Sequence, residues 1–362
     1  MSRIRVAVLM GGRSSEHDVS LVSARSVIAA LDPARYEAVP VAIGRDGRWA
    51  LVLGGATGLL EDGDAPTAGG TDGTGGAPGP ATGSAAATLP LPAASGALPT
   101  AGVLGEVDIV FPLLHGPFGE DGTVQGLLEL AGIPYVGSGV GASAVCMDKD
   151  FFKKVLRDSD IPVARHVALR DGDAVEHPFG YPVFVKPARL GSSIGISKVR
   201  SVGELEPAVA LARRHDDKVL IEESIDGVEV ECGVLGNRRP IASIPGEIVA
   251  NADWYDFDAK YAAGGMDLIA PPRLDEATIA RVQQVSIDAF VATECEGMAR
   301  VDCFVRPDGT VLVNELNTIP GFTPTSVYAK LFEASGISYA ELLDRLIELA
   351  LERHERRSKL EF

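Results

Sequence analysis

The sequence lacks any apolar run long enough to span a membrane, since a transmembrane helix needs about 18 or more consecutive apolar residues. The apolar start, residues 6–10, is also shorter than the core of a secretory signal peptide, about 7 to 15 residues, and ends at Gly11 and Gly12. We therefore expect no membrane partner, a buried first strand and a cytoplasmic protein.

Cysteine is scarce and scattered. The chain has four, Cys146, Cys232, Cys295 and Cys303, and no two form a CxxC pair. This spacing indicates neither a disulfide framework nor a zinc site. We expect four thiols buried in the core, where free cysteine usually lies.

Positive charge is in short supply. The 33 Lys and Arg residues face 50 Asp and Glu residues, for a formal charge of −17. Nonspecific binding to nucleic acid or to anionic membranes needs a basic surface, so neither partner is expected. Any anionic ligand must meet a local cluster of positive side chains.

The length of 362 residues exceeds the roughly 250 to 300 residues at which single cores stop growing, which predicts two or three domains. An α/β pattern opens the chain, with strands predicted at 4–10, 38–43 and 107–111. A helix follows the first strand, and its apolar face is predicted to consist of Val19, Val22, Ile28 and Leu31.

Residues 53–105 are nearly all Gly, Ala, Thr, Pro and Ser. Such a segment buries too little apolar surface to offset its ordering entropy, which predicts a flexible surface insertion. A linker between independent domains is the alternative. It is disfavoured because similar strand signals resume directly afterwards.

A different pattern begins near residue 147, with a helix and then strands predicted at 163–169, 182–186, 196–199, 218–224, 229–235 and 241–244. Gly191 and its two serines form a strand-loop-strand unit, unlike the strand-loop-helix of a Walker loop or dinucleotide fingerprint. Residues 250–270 form a polar loop long enough to be an active-site lid, with Gly264 and Gly265 as a hinge. Two helices are predicted nearer the end, at 276–295 and 339–353.

A hairpin is predicted over residues 298–315. If its turn is a two-residue primed turn, Asp302 lies opposite Glu315 and Arg300 opposite Asn317, all on one face. Opposed carboxylates repel unless a cation lies between them. Carboxylate and amide oxygens suit Mg²⁺ that holds nucleotide phosphates.

Two alternatives stay open for this hairpin. A type I turn with a G1 bulge, which Pro307 makes a real option, shifts the register by one and places Asp302 and Glu315 on different faces. A plain surface hairpin with acidic side chains is the other interpretation.

Lys149 at a helix start and Lys186 beside the glycine-rich loop suit phosphate oxygens, although each alone is also consistent with a solvated surface lysine. His115 follows a strand, and Glu16 follows the first strand at the same edge of the sheet, where ligands of open α/β sheets bind. Glu16 is suited either to a substrate ammonium group or to capping a helix.

Several motifs together resemble D-alanine:D-alanine ligases, a family of the ATP-grasp superfamily. They are His115-Gly116-Pro117-Phe118-Gly119-Glu120-Asp121-Gly122, Gly137-Ser138-Gly139, Met147-Asp148-Lys149, Val185-Lys186-Pro187, Gly191-Ser192-Ser193, Asp258-Ala259-Lys260-Tyr261 and Asn314-Glu315-Leu316-Asn317-Thr318 with Pro320-Gly321. The likeness runs in order from about residue 4 to residue 350, apart from the insertion.

The resemblance implies an ATP-grasp fold of α/β and α+β type. It implies an N-terminal α/β (pre-ATP-grasp) substrate domain over 1–145, a central ATP-grasp subdomain over 146–226, and a C-terminal ATP-grasp and metal-binding domain over 227–362. The implied reaction phosphorylates one D-alanine from ATP, joins it to a second through the acyl phosphate, and supplies the dipeptide for peptidoglycan, and so for cell wall and cell shape. Two Mg²⁺ ions, replaceable by Mn²⁺, and a homodimer are also implied.

The resemblance further implies roles for individual residues. Nucleotide contacts fall on Lys149, Lys186, Ser192, Ser193, Glu222, Ile225, Glu229 and Lys260, and metal ligands on Asp302, Glu315 and Asn317. The first D-alanine falls near Glu16 and His115, the second near Ser326 and Val327, and the oxyanion near Arg300 and Gly321. Tyr261 closes onto Glu16 and Ser192.

Tyr261 also bears on substrate choice, because relatives that make D-alanyl-D-lactate lack this tyrosine. A D-alanine:D-lactate ligase is therefore the alternative within the family. Some relatives carry a lysine near the adenine where this chain has Glu223. The residues that contact the edge of the nucleotide are therefore less well defined. A nicotinamide-dependent oxidoreductase is disfavoured because the glycines at 11–12 lack GxGxxG spacing, and a noncatalytic nucleotide-binding regulator because every chemical group is retained.

Overall fold

The computed structural model of the chain describes residues 2–52, 88–90, 107–250 and 266–361. The helices of this part are α1 His17–Ala30, α2 Thr123–Ala131, α3 Val140–Met147, α4 Lys149–Asp158, α5 Val202–Ala212, α6 Glu276–Ala292, α7 Val327–Ala334 and α8 Tyr339–Arg357. The strands of the first two sheets are β1 Ile4–Gly11, β2 Tyr36–Ile43, β3 Trp49–Val52, β4 Thr88–Pro90, β5 Ile109–Pro112, β6 His166–Leu169, β7 Val183–Pro187, β8 Ser197–Val199 and β9 Val219–Glu223. Those of the third sheet are β10 Val228–Gly236, β11 Ile241–Ala242, β12 Gly246–Ala250, β13 Met266–Ile269, β14 Gly297–Val305 and β15 Val311–Asn317.

The first sheet has the order β4-β3-β2-β1-β5, with β1 parallel to both β2 and β5. Residues 6–10 of β1 are all fully buried, as expected of a central parallel strand covered on both faces. The predicted buried first strand is confirmed. The carboxyl ends of β1 and β5 lie side by side and carry the segments with Glu16 and His115.

Helix α1 forms where predicted, but its predicted apolar face is partly wrong. Val22 is 44% exposed, while Ser20 and Ser23 are fully buried. The hydroxyl of Ser20 accepts the Gly11 N–H at 2.7 Å and donates to the Leu113 carbonyl. Serines face the sheet because the strand ends leave backbone groups that need partners.

The region predicted as a flexible insertion contains the short strand β4, which pairs antiparallel with β3. Neither strand was predicted. The rest of that region, residues 53–87 and 91–105, lies outside the described residues.

The second sheet has the order β6-β9-β7-β8, and all its pairs are antiparallel. Helix α5 covers it, with Leu205 and Val209 packed in one core with Val183, Val185 and Ile221. Strands β7 and β8 flank the loop at Gly191, so the predicted strand-loop-strand unit is confirmed.

The third sheet has the order β13-β12-β10-β14-β15, with β11 on β10. Helix α6 packs on one face through Val282 and Phe290. The polar loop predicted over 250–270 is too long, because β12 ends at residue 250 and β13 begins at Met266. The proposed hinge glycines lie outside the described residues.

Helix α8, which was predicted over 339–353, packs against the first sheet. Leu342, Leu346 and Ile347 share a core with Val6 and Phe111. Helices α2, α3 and α7 were not predicted. No helix in the described ranges is both long and apolar enough to cross a bilayer.

All four cysteines are free and buried, as predicted. The sulfur atoms of Cys146 and Cys295 lie 3.7 Å apart without a disulfide bond. Burial raises the pKa of the Cys303 thiol well above its usual range.

Candidate active site

The β14–β15 hairpin places Asp302 opposite Glu315 and Arg300 opposite Asn317, which confirms the predicted pairing. The turn on which that prediction rested is wrong. Gly309, at a φ of +79°, donates its N–H to the Arg306 carbonyl, and Arg306 donates to Thr310. This is the type I turn with a G1 bulge.

A second irregularity corrects the register. Near the turn Val305 faces Val311 and Cys303 faces Val313, but the next pair is Asp302 with Glu315. Asn314 is therefore an extra residue, a β-bulge. Without it Asn314 would face Asp302, and Glu315 would turn to the core face.

The side chains on this face form a dense ionic cluster. The Arg300 guanidinium donates to both oxygens of Asp302 at 2.7 Å and lies 2.9 Å from a carboxylate oxygen of Glu231, while the Asn317 amide donates to Asp302 at 3.1 Å. Burial opposes the charge of Arg300, but Asp302 and Glu231 outweigh it and raise its pKa. Glu231 was not predicted, although it alternates with Glu229 along β10 and pairs in register with Asp302.

The donor set of this face fits a hard divalent cation. Asp302, Glu315 and Asn317 offer carboxylate and amide oxygens, and Asp302 is 3% exposed. In the part of the chain that the structure covers, no three His, Cys, Asp or Glu side chains form a metal-binding group by themselves. A cation here therefore needs the Asn317 amide and oxygens of a ligand such as a phosphate chain.

Lys149 lies in the first turn of α4 and points at this cluster. Its Nζ is 3.3 Å from Glu315 and donates to the Leu190 carbonyl at 2.9 Å. Asp148 caps the helix by accepting the N–H groups of Asp150 and Phe151. Buried Lys218 donates to Asp148 at 2.7 Å, which fixes the start of the helix.

Lys186 ends β7 and forms an ion pair with Glu222 of β9. The second oxygen of Glu222 lies 3.2 Å from the Nζ of Lys153. Burial opposes ionisation of Glu222, but the two lysines lower its pKa to about 2. Lys153 was not predicted, although it follows Lys149 by four residues and so shares its helix face.

The glycine-rich loop reaches the first domain. Ser192 and Ser193 both have left-handed backbone, with φ of +54° and +57°, and the Ser192 hydroxyl donates to Glu16. Glu16 precedes α1 but its side chain makes no capping bond, so the capping interpretation is wrong. A Cβ on Gly116 would lie 2.7 Å from Glu16, so this close approach requires glycine.

His115 and Glu120 connect the segment after β5 to the segment after β15. His115 Nδ1 donates to the Ile319 carbonyl at 2.9 Å, and Glu120 accepts the Ile319 N–H at 3.2 Å and the Gly116 N–H at 2.8 Å. Burial lowers the pKa of His115, which keeps the ring neutral. Burial and then Glu16 raise the pKa of Glu120 to about 8.

Glu120 is a site residue that the sequence interpretation missed. The sequence does contain a signal for this residue, because Glu120 lies among glycines in the segment that follows a buried strand. A carboxyl group with a strongly raised pKa in a cleft is a frequent mark of a functional site.

Ser326 and Val327 lie at the start of α7. The Ser326 hydroxyl accepts the Thr323 N–H at 3.0 Å and makes no bond to its own helix. The first N–H groups of a helix have no partner within the helix and attract anions. Gly321 lies next to Ser326, since a Cβ there would be 3.4 Å from the hydroxyl.

Two of the remaining predicted residues, Ile225 and Glu229, lie in or beside strands β9 and β10. Ile225 follows β9 and is half-buried, and Glu229 lies on β10 opposite Phe304. Lys260 and Tyr261 lie outside the described residues. Their predicted roles stay predictions.

Similar solved structures identify the class of this protein. It matches the D-alanine-D-alanine ligase from Coxiella burnetii with a TM-score of 0.79 at 38% identity, covering 99% of this chain and 97% of that one. It matches the VanG D-Ala:D-Ser ligase from Enterococcus faecalis with a TM-score of 0.81 at 35% identity, covering 96% and 100%. The fold is that of an ATP-grasp ligase with an N-terminal α/β domain.

Sequence relatives identify the family. Models of the D-ala D-ala ligase N-terminus and C-terminus match residues 5–138 and 155–348. The D-alanine–D-alanine ligase of Nocardia farcinica is 49% identical over 97% of this chain and 98% of its own length, and that of Frankia casuarinae is 47% identical over 96% and 97%. The chain belongs to the D-alanine–D-alanine ligase family.

Proposed function

We propose that the protein joins two D-alanine molecules into D-alanyl-D-alanine at the expense of ATP, for peptidoglycan synthesis. The observation that carries this proposal is the convergence of three charged groups on one cleft. Glu16 follows the first strand of the first sheet, Lys186 and the Ser192 loop belong to the second sheet, Lys149 begins α4, and the Asp302 hairpin belongs to the third sheet. An acyl-phosphate reaction needs such groups for positioning and charge neutralisation.

The nucleotide is proposed to lie between the second and third sheets. Lys149 and Lys186 balance phosphate charge, and the N–H groups of the loop at Ser192 and Ser193 approach the phosphate oxygens. Glu222, Ile225 and Glu229 lie on the adenine and ribose side. The use of ATP is supported by a D-alanine–D-alanine ligase from Bacillus anthracis that was solved as a complex with ATP. It is 29% identical, with a TM-score of 0.72 over 98% of this chain and 99% of that one.

The two D-alanine sites are proposed to flank the Arg300 side chain. Glu16, with His115 nearby, suits the ammonium group of the first D-alanine. The helix start at Ser326 and Val327 suits the carboxylate of the second. Arg300 and the Gly321 N–H then stabilise the oxyanion that forms between them.

Asp302, Glu315 and Asn317 are proposed to hold two Mg²⁺ ions, with Mn²⁺ as a substitute. Bound there, the cations would neutralise phosphate charge during transfer. The charges on this face support the role. It carries three carboxylates and two cations, and so has one excess negative charge. The carboxylates are Asp302, Glu315 and Glu231, and the cations are Arg300 and Lys149.

Release of phosphate from ATP tests the proposed reaction. Phosphate should appear only when ATP and D-alanine are both present, and it should match the dipeptide in amount. Phosphate release from ATP alone would contradict the proposal, as would absence of D-alanyl-D-alanine among the products. A nicotinamide enzyme would require neither compound.

A competition between D-alanine, D-serine and D-lactate tests the second substrate. The dipeptide D-alanyl-D-alanine should predominate, because this chain carries Tyr261, which the relatives that make D-alanyl-D-lactate lack. Predominant D-alanyl-D-lactate would favour the alternative function.

The oligomeric state and the cellular location are also proposals. A homodimer is supported by Phe118, 49% exposed, and Leu130, 84% exposed, which line the same apolar hollow. Sedimentation of the purified protein tests it. Use of ATP and four unpaired thiols supports a cytoplasmic location.

A further inference from the structure

The metal-facing strand β15 has an unusual support at its bulge. Lys153 has no exposed surface, and its Nζ donates to the Asn314 carbonyl at 2.9 Å. The same Nζ lies 3.2 Å from Glu222. One buried ammonium group therefore contacts both the β-bulge and the carboxylate that holds Lys186.

The bulge decides which way the acidic side chains point. Strands slip by one residue between Cys303 and Asp302, and this slip turns Glu315 and Asn317 to the Asp302 side. Val313 on the preceding position donates its N–H to the Pro162 carbonyl at 2.9 Å. The backbone at the bulge is thus also bound by α4 and by the segment that follows it.

We infer that Lys153 is a positioning residue that fixes the Asn314 bulge and so aims Glu315 and Asn317 at the metal ions of the proposed reaction. This inference rests on the proposed function. Lys153 does not contact the reacting atoms. It acts through the Asn314 carbonyl, and Glu222 anchors its charge from the other side.

Burial alone does not account for this arrangement. Lys154, the next residue, has a side chain that is 54% exposed and pairs with Asp150 on its own helix. Lys153 instead reaches 161 residues along the chain to a backbone oxygen. Packing alone would be served by methionine, which fills the same space without a charge that needs buried partners.

Mn²⁺ binding measured by electron paramagnetic resonance tests the inference. The full-length protein is saturated with the β,γ-imido analogue of ATP and titrated with Mn²⁺, and binding of the analogue without metal is measured by calorimetry. Lys153→Met should weaken Mn²⁺ binding by about 10- to 100-fold, the usual effect of losing a group that orients a metal ligand. Lys154→Met should stay within about twofold of wild type, as expected at a surface site.

A pair of variants covers the case in which Lys153→Met fails to fold. Glu222→Gln keeps the Asn314 contact, and Lys153→Met with Glu222→Gln removes that contact without leaving a buried carboxylate unpaired. Lys186 faces the same neutral side chain in both variants. The double variant should bind Mn²⁺ at least about 10-fold more weakly than Glu222→Gln alone.

Equal Mn²⁺ affinity in that pair, or in Lys153→Met and wild type, would overturn the inference. So would a loss of metal-free nucleotide binding as large as the loss of Mn²⁺ binding. Wild type that binds no Mn²⁺ with the analogue would instead contradict the proposed metal site itself.

Discussion

At the scale of the residue, this site is built from charges that are buried and paired. Glu222 has two lysine partners, Arg300 has two carboxylates, and Lys218 has Asp148 and Asp150. A buried charge without a partner costs several kcal/mol, so these groups constrain one another. Removing one partner should affect both function and stability.

Lys186→Ala or Glu315→Ala should lower kcat by at least about 100-fold, or about 2.7 kcal/mol of barrier. Each removes charge that is proposed to face the nucleotide phosphates or the metal. Steady-state phosphate release measures the effect, with the exposed Lys359→Ala as control. Near-normal turnover in either variant would refute the assigned role.

Glu120 should make stability depend on pH. Its pKa is raised to about 8 in the folded protein from an ordinary 4.5, so the folded state binds one more proton between these values. The unliganded protein should therefore lose stability as pH rises through this window, by at most about 1.4 kcal/mol per pH unit.

Urea unfolding at pH 6, 7 and 8 measures this slope against Glu120→Gln, which cannot lose the proton. The exposed Glu206→Gln serves as the matched control and should keep the wild-type slope. An unchanged slope in Glu120→Gln would show that Glu120 is ionised in the folded protein.

At the scale of the element, the hairpin shows what the sequence predicts and where prediction stops. The pairing of Asp302 with Glu315 was correct although its turn was wrong. The reason is visible in β15, where Val311, Val313 and Leu316 belong to one core, while Leu312 is buried outside that core. Along the core face a step of two residues is followed by a step of three, so the spacing of these apolar residues indicates the bulge.

The residues that contact the bulge cannot be predicted from the apolar pattern. Lys153 and Pro162 meet β15 through contacts between residues about 150 to 160 positions apart, which no local pattern encodes. The capping interpretation of Glu16 failed for the same reason, since Ser192, its actual partner, comes from another sheet.

The cap at the N-terminus of helix α4 is expected to stabilise the protein. Asp148→Ala removes both the cap and a partner of buried Lys218, which should cost about 3 kcal/mol of unfolding free energy. Asp148→Asn keeps a capping oxygen and should be about 1 kcal/mol more stable than the alanine variant. Urea unfolding measures both.

Asp158→Ala, at the exposed far end of α4, is the control and should change stability by less than about 0.5 kcal/mol. Equal stabilities of the Asp148 alanine and asparagine variants would argue that the cap contributes nothing.

At the scale of the whole molecule, most of the strands were predictable from the apolar pattern, and the family from linked motifs. The contacts that close the cleft were not predictable, because Ile319, Ser192 and Gly116 contact residues that are far away in sequence. Exposure of the thiols is more than a local property as well, because all four belong to one hydrophobic core.

Labelling with a thiol reagent checks this. Native protein should react slowly at all four cysteines, and unfolded protein should give four equivalents per chain. Burial raises the pKa of Cys146 and Cys303, which further suppresses the reactive thiolate. Rapid reaction of one native thiol would indicate local opening around it.

The packing of α8 on the first sheet has a consequence for how the protein is made. Strand β1 is synthesised before Leu342, Leu346 and Ile347, which complete its apolar cover. A nascent chain therefore exposes an apolar patch on its first sheet until α8 has been made. The first sheet reaches its final packing only when α8 folds back onto it.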